Sequence, residues 1–390
     1  MIRIAIVLIC WAVNAANAAA SEEDLRKMIP AIFADAQVQY RGMLKQMEAY
    51  PGLLPRTVDN AKFSAVKAED WTSGFFPGAL WYLYEYTKAD EWKVAAKEYT
   101  ARLEKIRHYT GNHDVGFMLY CSYGNGLRLA DVPGYKEVLL DGAKALSTRY
   151  NEKLGLIRSW NNYTFPVIID NMMNLELLMW AARNKGDTRC ETIARSHADV
   201  TLKNHFRPDG SAYHILDYNP ETGKIAGYYS GQGQSKDGPW ARGQSWGLYG
   251  FTMMYRTTKD KRYLDKAVAV ADYLSNHKNM PADGIPYWDY EASNMPNACR
   301  DASAGAIMAS ALLELSGYVD NAKAKCYRAM AIQQLCSLSS SHYRAAPGFN
   351  NYFLLMHNVG NLPQKYEIDV PLNYADYYYL EALLRVLKSR

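Results

Sequence analysis

Asp114 and Asp170 each stand at the head of an apolar stretch. An aspartate there has an ordinary use, because its carboxylate caps free helix N–H groups and suits the positive end of the helix dipole. Two features point beyond capping. Asp170 follows Val167-Ile168-Ile169, a dry surrounding that disfavours the charged form and raises the pKa. Asp114 follows His113 in a turn flanked by glycine. Carboxyls brought to one place would raise each other's pKa and keep one protonated near neutral pH, which is the acid that proton donation needs.

Other residues could complete such a site. His214 lies in Gly210-Ser-Ala-Tyr-His, within a long loop, where a structural role and a ligand contact are both open. Gln232 and Arg242 flank a glycine-rich loop. Arg242 heads an apolar helix, so its cation needs an anionic partner. That partner is either a protein carboxylate or a substrate carboxylate matching the guanidinium fork. Trp71, Trp160, Trp240 and Trp246 offer flat faces for sugar rings, although core packing is the commoner use of tryptophan. No phosphate-binding glycine loop, GxSxG elbow or metal-ligand spacing occurs, so neither metal nor cofactor is expected.

The positioning elements follow from periodicity. Six segments begin with polar or aromatic residues and run on as helices apolar nearly all round. They span 71–86, 113–130, 170–182, 240–255, 301–315 and 373–387. Before each comes a more charged helix with a single apolar stripe, over about 22–48, 90–108, 136–150, 188–204, 261–277 and 321–338. The first kind must be buried and the second must cover it. Strict alternation predicts an all-α double ring in which the inner helices run parallel and their N-termini gather at one end. Trp71, His113, Asp114, Asp170, Trp240, Arg242, Asp301 and Asn373 then meet there. A helical solenoid is the other closure, and a repeat count of six with irregular loops favours the ring. Long connections at 205–239, 279–300 and 340–371 are expected at that end and suit a functional role. A few short strands are expected within 205–230.

The net charge is +4, too small for a nucleic-acid binder, and no basic run interleaves with aromatics. Arg3, the apolar run Ile4–Val13 and the alanines after it read as an export leader over residues 1–20, cut near Ala16-Asn17-Ala18. The alternative is an N-terminal buried helix. The run is too short for a permanent anchor, so a single domain over 21–390, exported to the periplasm or beyond without membrane insertion, is expected. The remaining cysteines, Cys121, Cys190, Cys299, Cys326 and Cys336, are odd in number and form no framework. Mostly buried thiols are expected, with room for one bridge.

At these residues the chain resembles glycoside hydrolase family 88, the unsaturated glucuronyl hydrolases. The resemblance covers about 45–388. It rests on Trp71-Thr-Ser-Gly-Phe-Phe-Pro-Gly, His113-Asp-Val-Gly-Phe, Ile169-Asp-Asn-Met-Met-Asn-Leu, Trp240-Ala-Arg-Gly-Gln-Ser-Trp-Gly, Asp301-Ala-Ser-Ala, and Asp369-Val-Pro-Leu followed by Tyr374-Ala-Asp-Tyr-Tyr. It implies an (α/α)6 barrel with Asp170 as general acid and base and Asp114 as the assisting carboxylate. It also implies sugar contacts from Trp71, His214, Gln232, Trp240 and Arg242, and His113 and Trp246 are expected to bind substrate beside them. The implied substrate is an unsaturated uronate oligosaccharide made by a polysaccharide lyase, of glycosaminoglycan type. Gly233-Gln-Ser-Lys-Asp-Gly and Tyr374-Ala-Asp-Tyr-Tyr depart from common family patterns, in loops that bear on substrate preference. The rival readings are an unsaturated rhamnogalacturonyl hydrolase, a barrel epimerase and a non-catalytic envelope sugar-binding protein.

Overall fold

The computed structural model describes residues 21–389 apart from residue 186, so the expected leader lies outside the described residues. The outer helices are α1 (Glu22–Met47), α3 (Asp90–Ala101), α6 (Tyr135–Ser147), α8 (Arg189–Asn204), α10 (Lys261–Ser275) and α12 (Asn321–Ser339). Between them run the inner helices α2 (Phe75–Thr87), α4 (Val115–Leu119), α7 (Asn171–Arg183), α9 (Ala241–Thr258), α11 (Ala302–Leu315) and α13 (Asn373–Lys388). A π-helical turn at Tyr120–Gly124 carries α4 on into α5 (Asn125–Ala130), so together they make one interrupted inner helix.

Burial separates the two kinds as their composition requires. In α10 the buried residues Tyr263, Ala267, Val270, Ala271 and Leu274 form one stripe at helical spacing. In α11 every residue from Ala302 to Leu313 is buried. Small residues let these inner helices approach closely. A Cβ on Gly250 would sit 2.4 Å from Met172 Cβ, and one on Gly116 would sit 2.6 Å from Asn174 Cα. Gly116→Ala must push α4 off α7, and overpacking of this kind costs about 1–3 kcal/mol. The expected result is a lower midpoint in urea denaturation with an unchanged slope. An unchanged midpoint would mean the two helices yield freely there.

The inner ring is closed. α2 packs on the α4–α5 unit, α4 on α7, α7 on α9, α9 on α11, α11 on α13, and α13 returns to α2. Outside, α12 meets α1. The architecture is therefore the (α/α)6 barrel, not an open solenoid, and one large hydrophobic core fills its wall.

Strands are more widespread than 205–230. They are β1 (Leu54–Asp59), β2 (Lys62–Val66), β3 (Tyr150–Asn151), β4 (Leu156–Ile157), β5 (Pro166–Ile168), β6 (Ile215–Tyr218), β7 (Ile225–Tyr229), β8 (Asn358–Asn361) and β9 (Tyr366–Val370). They form the hairpins β1–β2, β3–β4 and β8–β9 and the three-stranded sheet β5–β6–β7, all antiparallel. Most of these strands are too short for a period of two to show in the sequence, and all but the β3–β4 hairpin pair with a distant segment or through a bulge. Among the described residues no helix is long and apolar enough to cross a membrane. Cys121 and Cys190 are buried, Cys299 and Cys336 half-buried and Cys326 exposed, and no bridge forms among the described residues. Only two of the five thiols are fully buried, fewer than expected.

Candidate active site

The sheet β5–β6–β7 places the first pair of residues. Ile168 lies opposite Ile215, and Ile169 N–H donates to the His214 carbonyl at 3.2 Å. Asp170 and His214 therefore leave neighbouring strands side by side. β7 pairs with β6 so that Ile215 faces Tyr229. This brings the Gly231 and Gln232 N–H groups onto His214 Nδ1, at 3.1 and 3.3 Å. Two donors on Nδ1 make it an acceptor, so the imidazole is neutral with its proton on Nε2. Burial lowers the His214 pKa to about 3. The Nε2–H is a buried donor without a protein partner.

A second tie brings in His113 and Asp114. Ser159 accepts from His113 N–H at 3.1 Å and donates its own N–H to Pro166 O at 2.8 Å. Its hydroxyl accepts from Ile168 N–H at 3.0 Å. The residue before α4 is thus pinned to the strand before α7. Asn174, one turn along α7 from Asp170, accepts from Phe117 N–H at 2.9 Å and donates to Asp114 Oδ1 at 3.4 Å. His113 Nε2 is also 3.4 Å from Asp114 Oδ1, although neither ring nitrogen makes a hydrogen bond.

The two aspartates share one feature that separates them from their counterparts elsewhere. Asp260, Asp301 and Asp320 all sit at helix starts and accept backbone N–H groups there. Asp114 and Asp170 hold the same position on α4 and α7 and cap nothing. Asp170 Oδ1 is buried with no hydrogen-bond partner at all. Neither side chain is sealed, since Asp170 is 8% and Asp114 6% exposed. Burial raises Asp170 to about 7, opposed by the Arg242 cation. Burial and then the Asp170 charge raise Asp114 to about 8. The Arg242 cation favours the ionised form of Asp170, and the Asn174 hydrogen bond that of Asp114. Both shifts point the same way, so the pair keeps at least one proton near neutral pH. A raised pKa is no marker by itself. Asp376 also rises to about 7 by burial, yet its oxygens accept the Leu354 and Leu355 N–H groups at 2.8 and 2.9 Å.

This has a sign for stability. The folded chain keeps protons on Asp114 and Asp170 that the unfolded chain releases above about pH 4. Stability is therefore lost as pH rises from there through about 7 and about 8, the folded values. Asp114→Asn removes the disfavoured charge and retains an acceptor for Asn174. It should stabilise the fold by on the order of 2 kcal/mol at pH 8 and by nothing at pH 4. Thermal denaturation at both pH values checks this, and an equal shift at both would contradict it.

The remaining expected site residues divide by exposure. Trp71 is part-exposed and leans on Tyr374, with ring centroids 4.9 Å apart. Gln232 is half-buried and donates to Gly360 O at 3.0 Å. Trp240 is buried, its ring 4.4 Å from that of His214, with the Arg242 guanidinium 4.6 Å above it. His113, Arg242 and Trp246 have no exposed surface. The partner expected for Arg242 is supplied by the protein. Its Nη1 donates to Asp301 Oδ2 at 3.0 Å and to Val359 O at 2.5 Å, and its Nη2 donates to Gly360 O at 2.8 Å. Trp246 packs on Phe117 and Tyr378 inside the barrel, because its place more than a turn into α9 carries it below the mouth. Trp246 thus lies in the barrel wall, and the Arg242 guanidinium is held from below by protein oxygens. Sequence reading passed over Asn174 and Ser159. The spacing of Asn174 from Asp170 was the available signal for one, while nothing local marked the other. Trp160, part-exposed, bridges the site, its ring edge-on to both His113 and His214 at 6.4 Å.

A cavity of about 660 Å³ opens at the opposite end, where the inner helices finish. Its charges answer one another, Arg256 pairing with Glu176 and Glu314, and Arg385 with Glu314 and Glu381. It holds no orphaned carboxyl pair, so the mouth with Asp114 and Asp170 is the better candidate for chemistry. A buried carboxyl able to give up a proton, a neutral imidazole N–H and a part-exposed tryptophan together suit proton transfer to a polar, ring-shaped substrate.

No family model matches the chain. It is 46% identical over 325 residues to an unsaturated glucuronyl hydrolase of Formosa agariphila, covering 82% of this chain and 80% of that one. It is 33% identical over 346 residues to an unsaturated chondroitin disaccharide hydrolase of Streptococcus pneumoniae, covering 86% of each. Its fold matches the crystal structure of an unsaturated glucuronyl hydrolase specific for heparin with a TM-score of 0.89. That match has 44% identity and covers 94% of this chain and 98% of the other.

Proposed function

The chain belongs to the unsaturated glucuronyl hydrolases, glycoside hydrolase family 88, and on that premise we propose which residues perform its reaction and on what. The substrate is a lyase-generated oligosaccharide of glycosaminoglycan type that ends in a 4,5-unsaturated glucuronic acid. The relatives' names, chondroitin disaccharide and heparin among them, support this over a rhamnogalacturonyl substrate.

The C4=C5 bond with the ring oxygen is a vinyl ether. Asp170 delivers its proton to C4. Positive charge develops at C5 and is shared with the ring oxygen. Water adds to C5 and gives a proton to the Asp170 carboxylate, which restores the acid. The C5 hemiketal opens by breaking its bond to the ring oxygen. The acetal carbon C1 then carries a hydroxyl beside the aglycone oxygen, and it collapses to an aldehyde and a free sugar hydroxyl. One carboxyl thus acts first as acid and then as base. The uronate carboxylate adds negative charge at the mouth, which offsets Arg242 and drives the pair's proton onto Asp170. Asp114, held by Asn174, takes the complementary charge state.

Binding is shared among the other residues. The Nε2–H of His214 donates to a sugar oxygen, Trp71 lies against the ring, and Gln232 lines the loop beside them. Trp240, Arg242, His113 and Trp246 hold these groups in place. A leader over residues 1–20, one catalytic barrel over 21–390 and export to the periplasm or beyond complete the proposal, on the sequence grounds given above.

The observation that carries this reading is the pair of helix-start aspartates that forgo capping and keep a proton in one mouth. The test is a set of unsaturated disaccharides from chondroitin, hyaluronan, heparin and gellan. The expected result is loss of the double-bond absorbance together with release of the second sugar. Binding with undiminished absorbance would point instead to a sugar-binding protein.

A further inference from the structure

We infer that the cleft between Arg149 and Arg158 is an anion subsite that takes an O-sulfo or carboxylate group carried by the substrate beyond the residue that is cleaved. The proposal rests on the reading of the mouth as a site for unsaturated uronate oligosaccharides. The cleft has a volume of about 390 Å³ and includes Thr110, Arg149, Tyr150, Arg158 and Asn161 in its lining. It lies at the barrel end that holds Asp170, because it is built from the turns that precede α4 and α7.

Its two cations lack the carboxylate partner that most part-buried arginines here have, Arg207 being a third without one. Arg56, Arg242, Arg256 and Arg385 each pair with at least one carboxylate. Arg149 meets only neutral oxygens: Thr110 O at 2.5 Å, Arg158 O at 2.8 Å, Asn161 Oδ1 at 3.2 Å and Ser159 O at 3.3 Å. Arg158 makes one bond, from Nη2 to Tyr163 O at 2.8 Å, and its Nε–H is buried without a partner. Among the described residues neither forms an ion pair. Burial, and after it the neighbouring Arg158 charge, hold the Arg149 pKa below its usual value. Two part-buried like charges at close quarters cost free energy that a bound anion would recover.

The cleft is also joined to the candidate active site. The Ser159 carbonyl that Arg149 touches is the one that accepts from His113 N–H. The next residue, Trp160, faces both His113 and His214. A sugar chain leaving the mouth past Trp160 meets Asn161 and then the two guanidinium groups. Arg149 is spent on holding the turn, so Arg158, with most of its donors free, makes the direct contact.

The experiment is steady-state kinetics of the full-length protein and its Arg158→Gln variant on matched unsaturated disaccharides. These differ only in bearing or lacking an O-sulfo group on the second sugar. An unsulfated tetrasaccharide with an internal uronate provides the carboxylate arm. Arg158→Gln should raise KM about tenfold for whichever anionic substrate the cleft reads, the order of one charge-assisted hydrogen bond. It should leave kcat unchanged and leave the neutral disaccharide unaffected, and Arg158→Lys should recover part of the loss. An equal KM rise on charged and neutral substrates, or no rise on any, overturns the subsite. Should the parent protein consume none of them, the functional reading fails and the cleft is judged separately. Sodium sulfate, compared with sodium chloride at equal ionic strength, should then raise the melting temperature of the parent by more than that of Arg158→Gln, whose rise reports only the general exclusion of sulfate from protein surfaces. Equal response of the two proteins overturns it.

Discussion

Asp170→Asn should hydrate unsaturated disaccharide on the order of 10³–10⁴ times more slowly than the parent, the upper part of what a positioned general acid and base contributes. The amide is nearly isosteric with the protonated carboxyl but can neither release a proton to C4 nor accept one from water. Because Asp170 caps no helix and its Oδ1 has no protein partner, the substitution breaks no bond that holds the barrel. The loss should therefore fall on kcat, with KM little changed and the far-ultraviolet circular dichroism intact. Substrate soaked into Asp170→Asn should persist with its double bond. A variant that consumed the absorbance at near the parent rate would falsify the assignment of Asp170, and Asp114 would become the acid.

The second large effect is on stability. Asp301 has no exposed surface and does two things at once. Oδ1 accepts from Ser303 N–H at 3.1 Å and caps α11, while Oδ2 holds Arg242 Nη1 at 3.0 Å. Asp301→Ala leaves a guanidinium buried against two carbonyls with no carboxylate, and breaking a buried pair on one side costs about 3–5 kcal/mol. Loss of the cap adds about 1 kcal/mol. Asp301→Asn separates the two effects, since an amide still caps but carries no charge. It should retain the cap and lose most of the pair. Urea denaturation measures both. A kinetic sign accompanies the stability loss. Arg242, no longer neutralised, pulls harder on Asp170 and lowers its pKa, so the alkaline fall of the pH–kcat profile should move to lower pH. Destabilisation without that movement would mean that Arg242 does not act on the acid.

The barrel was legible because it depends on a local property. A helix apolar on all sides, as from Ala302 to Leu313, and one with a single stripe, as α10, look different in any window of a dozen residues. Their alternation then dictates that Asp114, Asp170, Trp240 and Asp301 share one end. The pairing of short strands was not legible. Nothing near Ser159 says that it will join the turn before α4 to β5, and nothing near Gly360 says that its carbonyl will serve both Arg242 and Gln232. Such contacts are long-range and made by backbone atoms, which every residue carries. For the same reason a carboxylate partner for Arg242 was foreseen without its identity, and the protein's own Asp301 met the need. Depth along a helix was not legible either. Trp240 and Trp246 read alike as aromatic residues of one motif, yet more than one turn of helix separates a residue at the mouth from one in the wall.

The closed inner ring brings the two extremities of the barrel together. Arg26 on α1 donates to the Ser389 carbonyl at 2.5 Å, and Arg328 on α12 reaches both Glu22 and Ser389. A short linker could therefore fuse residue 389 to residue 22 and let the polypeptide be opened at another surface turn, such as the Asn219–Gly223 turn between β6 and β7. Such a circularly permuted barrel should assemble with the same mouth. Its order of helices along the chain would be new, while every neighbour around the circle would be kept.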